Sequence, residues 1–107
     1  MISFKEFLKE DHDYVFNGSP GHLKNIARRS PHSQARFVIH HDGRMEGGDA
    51  GKYTHHELGG NNYHSAGIVY HKEGKYKHIT WKKDETDDDD KPHESVKRFA
   101  THGIEKG

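Results

Sequence analysis

The segment SAGIVYHKEGKYKHITW, residues 65–81, restricts the possible folds of this chain more than any other stretch. It holds two runs rich in β-forming residues, 65–71 and 76–81. The four residues between them, Lys72-Glu73-Gly74-Lys75, have the composition of a turn. The segment therefore predicts a β-hairpin, which requires a sheet to pack in.

A second hairpin is predicted in ARFVIHHDGRMEGG, residues 35–48. Residues 37–39 (Phe-Val-Ile) have high β-propensity. Asp42-Gly43 is a favoured pair for a tight turn that needs positive φ. The expected return strand is short, covers residues 44–46 and stops at Gly47-Gly48.

Helices are predicted on either side of the hairpins. Ser19 can cap a helix that has Pro20 as its first residue and ends before Pro31. A second helix covers about residues 92–102 and is closed by Gly103, and a short helical turn is expected at 53–58. The predicted apolar stripes are Leu23, Ile26 and Ala27 in the first helix and Val96, Phe99 and Ala100 in the last.

The order of these elements indicates an α+β fold. We expect a small antiparallel sheet of about four strands, formed by the two hairpins, with helices packed on one face. The 107 residues suit one domain. We assign it to residues 11–107, with an acidic loop at 84–90, and treat residues 1–10 as a separate helical peptide.

Composition excludes several classes of protein. The chain has no cysteine, so disulfide frameworks and thiolate metal sites are ruled out. Its 17 basic and 17 acidic residues balance, so no global charge signal for nucleic acid or membrane exists. No apolar run approaches the roughly 20 residues that span a bilayer, and we expect no membrane partner. Histidine is abundant, at 12 residues spread along the chain.

The first ten residues, MISFKEFLKE, have the signals of a complete short helix. Ser3 and Glu6 are spaced as a capping box, and Ile2 and Phe7 as a hydrophobic staple. Phe4, Phe7 and Leu8 share one face. A helix this short is marginal in water by itself, so its apolar face must dock on something.

This decad resembles the capsid-targeting peptides of internal head proteins in large contractile-tailed phages. The matching positions are Phe4, Glu6, Phe7, Leu8 and Glu10. The resemblance implies that the peptide binds the capsid scaffold and that a prohead protease cuts after Glu10. The product would lie inside the virion and later enter the host cytoplasm. The alternative is an ordinary N-terminal helix docked on the core.

A second resemblance covers residues 15–58 and points to small phage accessory proteins of uncharacterised activity. Its pattern is a strand and an Asn-x-Ser turn before a helix, then an Arg-led strand, a Gly turn, an Asp-Ala pair and a histidine. The corresponding residues are Asn17, Ser19, Arg36, Gly43, Asp49, Ala50 and His55. This resemblance implies a phage protein and supplies no mechanism.

The segment GDAGKYTHHEL, residues 48–58, has the densest collection of catalytic residue types. Asp49, His55, His56 and Glu57 are the candidate catalytic residues, as acid/base groups. Asp49, His55 and His64 are the candidate ligands for a divalent metal such as Zn²⁺ or Mn²⁺. The simpler interpretation is a polar surface helix, because adjacent histidines on a helix point about 100° apart.

Charge is segregated along the chain although it sums to zero. Lysines concentrate around the second hairpin, and six acids follow within residues 84–90. Basic side chains with Tyr70, Tyr76 and Trp81 nearby could hold a phosphate backbone and stack on bases. The candidate nucleic-acid-binding residues are Lys72, Lys75, Lys77, Lys82 and Lys83. Alternatively, the acidic loop covers these lysines, keeps the protein soluble or imitates DNA.

These observations favour a phage accessory protein that is packaged in the head and acts after entry. It would bind a host or viral macromolecule, such as a host protein or a nucleic acid, for counter-defence or host takeover. Two alternatives stay open. One is a small metal- or histidine-dependent enzyme using the cluster from Asp49 to His64, and the other is a structural virion component.

Overall fold

The computed structural model describes residues 13–84 and 89–107. These residues form an α+β fold with six strands and three helices. The elements in chain order are β1 Tyr14–Gly18, α1 Pro20–Arg29, β2 Gln34–Ile39, β3 Met45–Asp49, α2 His55–Gly59, β4 Ser65–Lys72, β5 Lys75–Lys82, α3 Asp90–Thr101 and β6 Ile104–Lys106.

The strands form one mixed sheet in the order β1-β3-β2-β4-β5-β6. Only the last pair, β5 with β6, is parallel. The expectation of about four strands is therefore wrong: β1 and β6 extend the two hairpins at opposite edges. Tyr14 pairs with Gly48, and Ile104 with Tyr76. Both pairings join residues far apart in sequence, so no local pattern predicts them.

Both hairpins are present where the turn residues place them. Gly43 has φ +92° and its N–H donates to the His40 carbonyl oxygen over 2.9 Å. At the second turn Glu73 (φ 54°) and Gly74 (φ 79°) are both left-handed, as a two-residue hairpin loop requires. The two antiparallel pairings are thus fixed by local backbone chemistry.

Strand β3 runs through Gly47 and Gly48 to Asp49 instead of stopping before them. A Cβ atom at Gly47 would overlap the Leu23 side chain, and one at Gly48 would overlap the Tyr53 ring. These glycines let α1 and the loop before α2 lie directly on the strand. The predicted strand end at residue 46 is therefore wrong, because the glycines serve packing.

The main core lies on the face of the sheet that α1 and α3 cover, here called the inner face. Its buried residues are Leu23, Ile26, Ala27, Ala35, Phe37, Ile39, Met45, Val69, Phe99 and Ile104. The Phe37 and Phe99 rings touch, with centroids 5.2 Å apart. All three residues of the predicted α1 stripe are buried, which confirms that prediction.

The short helix α2 lies on the opposite, outer face, where Leu58 packs on Val38 and Ala66 in a second, smaller cluster. The expectation that the helices share one face holds only for α1 and α3. Side chains alternate between the two faces of a strand, so the neighbours Phe37 and Val38 point to opposite faces. Each face therefore has apolar side chains that a helix can cover. α2 contacts β2 and β3 at the centre of the sheet. It leaves the outer face of β5 largely bare.

Candidate functional site

Strand β5 sorts its side chains by face. The register pairs Lys77 with Tyr70, Ile79 with Ile68 and Trp81 with Ala66. Because Ala66 belongs to the outer cluster, Lys75, Lys77, Ile79 and Trp81 all point to the outer face. Tyr76, His78 and Thr80 point to the inner one.

The outer side chains of β5 form an exposed apolar stripe next to lysines. Ile79 is 47% exposed and Trp81 is 44% exposed. They are two of the three exposed large hydrophobic residues in the described part of the chain, the third being Phe16. We call this region the hairpin surface and define it as Tyr70, Lys72, Lys75, Lys77, Ile79 and Trp81.

Trp81 is held from one side by His55. The His55 Nε2 donates a hydrogen bond of 2.9 Å to the Gly67 carbonyl oxygen. The same imidazole meets the Trp81 ring edge to face, with centroids 5.3 Å apart and planes at 83°. His55 therefore steadies the indole while almost half of that side chain stays in contact with solvent.

Three of the five candidate nucleic-acid-binding lysines come together at the hairpin tip. Lys72, Lys75 and Lys77 line a depression of about 320 Å³ with Tyr70 and Glu73. None of these lysines makes an ion pair within residues 13–84 and 89–107. The tip therefore combines three lysines that form no ion pair in the described ranges, and one glutamate, Glu73, with the adjoining apolar stripe.

The other two lysines lie at the far end of β5. Lys83 donates to the Asn61 carbonyl oxygen and lies over the Tyr63 ring, 5.0 Å from its centroid. Lys82 pairs with Ser65. Tyr76 is also separate, since on the inner face it stacks on His71 with centroids 4.5 Å apart. Of the three aromatic residues considered for base stacking, only Tyr70 and Trp81 face outward.

The candidate catalytic residues do not converge. Asp49 is buried at the end of β3 and accepts hydrogen bonds of 2.9 Å from the Ser30 hydroxyl and the Gly51 N–H. Glu57 forms a capping box with Thr54, with both hydrogen bonds at 3.1 Å. His56 is exposed on the first turn of α2. Asp49 and Glu57 thus hold local backbone in place.

The candidate metal ligands are also separate. Asp49 pairs with Ala35, whereas the His64 N–H bonds to Ile39, four residues further along β2. This corresponds to about 13 Å along the strand. The His64 Nδ1 contacts the Ser65 hydroxyl, and His55 engages Gly67 and Trp81. The described residues contain no group of three histidine or acidic side chains that could hold a metal ion.

A buried carboxylate network that sequence reasoning missed lies near the start of β3. Glu46 is 7% exposed and accepts hydrogen bonds from the Tyr14 hydroxyl, from His40 Nε2 at 3.0 Å and from Arg44 Nη1 at 3.3 Å. Burial alone would raise the pKa of Glu46. The hydrogen bonds from His40 and Tyr14 and the charge of Arg44 outweigh burial and lower that pKa.

Alternation along residues 44–48 places Glu46 on the outer face. The outward position of Tyr14 could have been found only with knowledge of the β1–β3 pairing. The network joins β1, β3 and the first hairpin turn and leaves no carboxylate oxygen without a donor. Its geometry indicates that it holds these elements together.

The predicted targeting peptide, residues 1–10, and most of the acidic run, residues 85–88, lie outside the described residues. Of the remaining acids, Asp90 starts α3 and Asp89 contacts His41 Nδ1 over 2.7 Å. Within the described ranges, no helix has the length and apolar character needed to cross a membrane.

Comparisons with known proteins add no further assignment. No protein-family model, curated protein or solved structure matches this chain. The hypothesis for its function therefore rests on the geometry above and on the resemblances described in the sequence.

Proposed function

We propose that this protein is a binding protein whose hairpin surface holds single-stranded nucleic acid. One observation carries the proposal. Exposed Ile79 and Trp81 lie on the same face of β5 as Lys75 and Lys77, which have no ion-pair partner within the described ranges.

The physical reason is a match between this surface and the chemistry of an unpaired strand. Aromatic side chains stack on bases whatever their sequence, and lysines attract the phosphate backbone. Sheet faces with exposed aromatic side chains use this arrangement to bind single-stranded RNA. A duplex hides its bases, so Trp81 would have no base face to stack on. An acidic protein partner could match the lysines, but it offers Trp81 a ring only where an aromatic residue lies beside its acids, whereas every nucleotide carries a base.

The test is a titration with short labelled DNA and RNA oligonucleotides, followed by fluorescence anisotropy. We expect dissociation constants of roughly 1–100 µM at physiological salt, the range of non-specific binding. Trp81 is the only tryptophan, so its intrinsic fluorescence should also change on binding. Absence of binding at low salt would contradict the proposal. Equal affinity for duplex DNA would show that base stacking on Trp81 does not contribute to binding.

Variants separate the two parts of the surface. Trp81→Ala should weaken binding about 5- to 150-fold, which corresponds to roughly 1–3 kcal/mol of base stacking. Lys75→Ala and Lys77→Ala should each reduce the salt slope by about 0.7. Phe16→Ala is the matched control, since Phe16 is 41% exposed but lies on β1 at the other edge of the sheet. Equal losses in the control and in Trp81→Ala would refute the assignment.

The biological setting that we propose is a phage accessory protein, packaged in the head and acting after entry. It is supported by the resemblance of residues 1–10 to capsid-targeting peptides. Intact-mass measurement of the protein from purified virions tests it. A species of 97 residues (107 minus 10) beginning at Asp11 is the expected result. A full-length species in virions would favour a structural component, and absence from virions would contradict packaging.

A further inference from the structure

The inner face carries a groove that the proposed function does not use. It has a volume of about 500 Å³ and lies between α3 and the β5–β6 edge. Val96, Ala100 and Ile104 supply its apolar walls, and His78 and Thr80 its polar floor. This volume is within the usual range for pockets that hold a small organic molecule.

The imidazole on the floor is held in a fixed orientation. His78 is 7% exposed and stacks on Phe99, with ring centroids 4.4 Å apart and planes at 22°. Its Nδ1 lies 2.9 Å from the Thr80 hydroxyl oxygen. Its Nε2 makes no hydrogen bond to any residue in the described ranges, so one polar ring atom remains for a ligand.

The charged groups around this imidazole are mostly cationic. Lys97 comes from α3, and Glu105 and Lys106 come from β6. The partner of His78 on β4, Val69, is uncharged. Neither lysine makes an ion pair within residues 13–84 and 89–107. Burial lowers the pKa of His78, and the charge of Lys106 lowers it further.

We propose that this groove binds a small amphipathic anion, namely a carboxylate or phosphate carried on an apolar body. The anionic group would lie between Lys97, Lys106 and the imidazole, and the apolar body against Val96, Ala100 and Ile104. Charge complementarity and apolar walls together select this class over a neutral or purely ionic ligand. The site is independent of the hairpin surface, which lies on the other side of β5.

Octanoate is a suitable probe, with acetate and inorganic phosphate as anions that lack the apolar body. The imidazole signal of His78 is followed by NMR as pH is varied, with the other histidines as internal references. A bound anion favours the protonated ring, so octanoate should raise the pKa of His78 and leave the imidazole signal of exposed His93 unaffected. Octyl phosphate tests whether a phosphate replaces the carboxylate.

Four variants locate the effect, one of them a control. Lys97→Ala and Lys106→Ala should each weaken octanoate binding roughly two- to fivefold. Lys91→Ala, on the same helix but away from the groove, should leave it unchanged. Ala100→Phe fills the groove from an exposed helix position and should abolish octanoate binding. Lack of any octanoate effect on His78 overturns the proposal, as does an equal effect of acetate or unchanged affinity in both groove-lysine variants.

Discussion

Replacing Glu46 by Gln tests how the carboxylate network stabilises the sheet. The carboxylate accepts from His40 and Arg44 at one oxygen and from the Tyr14 hydroxyl at the other. Gln can keep its carbonyl oxygen towards His40 and Arg44. Its NH₂ group then faces Tyr14, whose hydroxyl can turn and accept. The shape and the number of hydrogen bonds survive, and only the charge is lost.

The expected loss of stability follows from the difference between hydrogen bonds to a charged and to a neutral acceptor. Hydrogen bonds to a charged group contribute about 1.5–3 kcal/mol and neutral ones about 0.5–1.5 kcal/mol. Glu46→Gln should therefore lower the free energy of unfolding by about 1–2 kcal/mol. Glu46→Ala removes the acceptor and leaves the Arg44 charge uncompensated in a half-buried position. We expect that variant to cost about 3–5 kcal/mol.

Urea unfolding at neutral pH measures both variants, and Tyr14→Phe completes a double-mutant cycle with Glu46→Ala, which removes the shared hydrogen bond. Coupling between the two sites is expected because they share one hydrogen bond. If Glu46→Gln unfolds at the wild-type urea concentration, the charge contributes nothing. If Glu46→Ala costs no more than Glu46→Gln, the donors have found other partners. Either result would refute the reasoning.

The same network predicts a dependence on acid. The folded-state pKa of Glu46 lies below its ordinary value of 4.5, so the folded state binds fewer protons than the unfolded chain. This stabilisation is complete above pH 4.5 and is lost as pH falls through the folded-state pKa. The stability difference between wild type and Glu46→Gln should therefore shrink in acid. A constant difference would show that Glu46 does not titrate in this range.

Other predictions concern packing and the second titrating group. Gly47→Ala should destabilise the fold by about 1–3 kcal/mol, because its new methyl group overlaps the fully buried Leu23; a wild-type melting temperature would contradict this. Trp81→Phe should cost less than about 1 kcal/mol in urea unfolding, since the indole is already 44% exposed. The folded-state pKa of His78 lies below 6.5, so stability should fall as pH drops below 6.5, and His78→Gln should flatten that dependence.

The parts of the fold that local chemistry determines could be predicted from the sequence. Gly43 carries the positive φ angle of the first hairpin turn, and Glu73 and Gly74 carry those of the second. Gly103, with φ +73°, ends α3 as expected. The strands β1 and β6 could not be predicted in the same way, because each is specified by a distant partner. β6 has only three residues, and its pairing with β5 requires α3 to be in place.

Prediction of the site was less complete for a similar reason. The types of residue present directed the prediction of a site to the segment from Asp49 to His64. In the structure, the polar groups of that segment cap α2, hold a loop and steady Trp81. The alternation Lys75, Lys77, Ile79, Trp81 was available in the sequence and indicates one shared face. Whether that face is covered depends on where α2 packs, which the sequence pattern does not specify. The groove around His78 likewise exists only once α3 and β6 enclose it.

The two edge strands of the sheet, β1 and β6, are the places where a strand of another chain could add to it. β1 has an irregular register between Val15 and Gly18, and β6 is three residues long with Glu105 and Lys106 as two of them. Irregular, short and charged outer strands are poor templates for strand addition by another chain. The sheet is therefore poorly suited to recruiting further copies, so concentrated solutions should resist fibril formation.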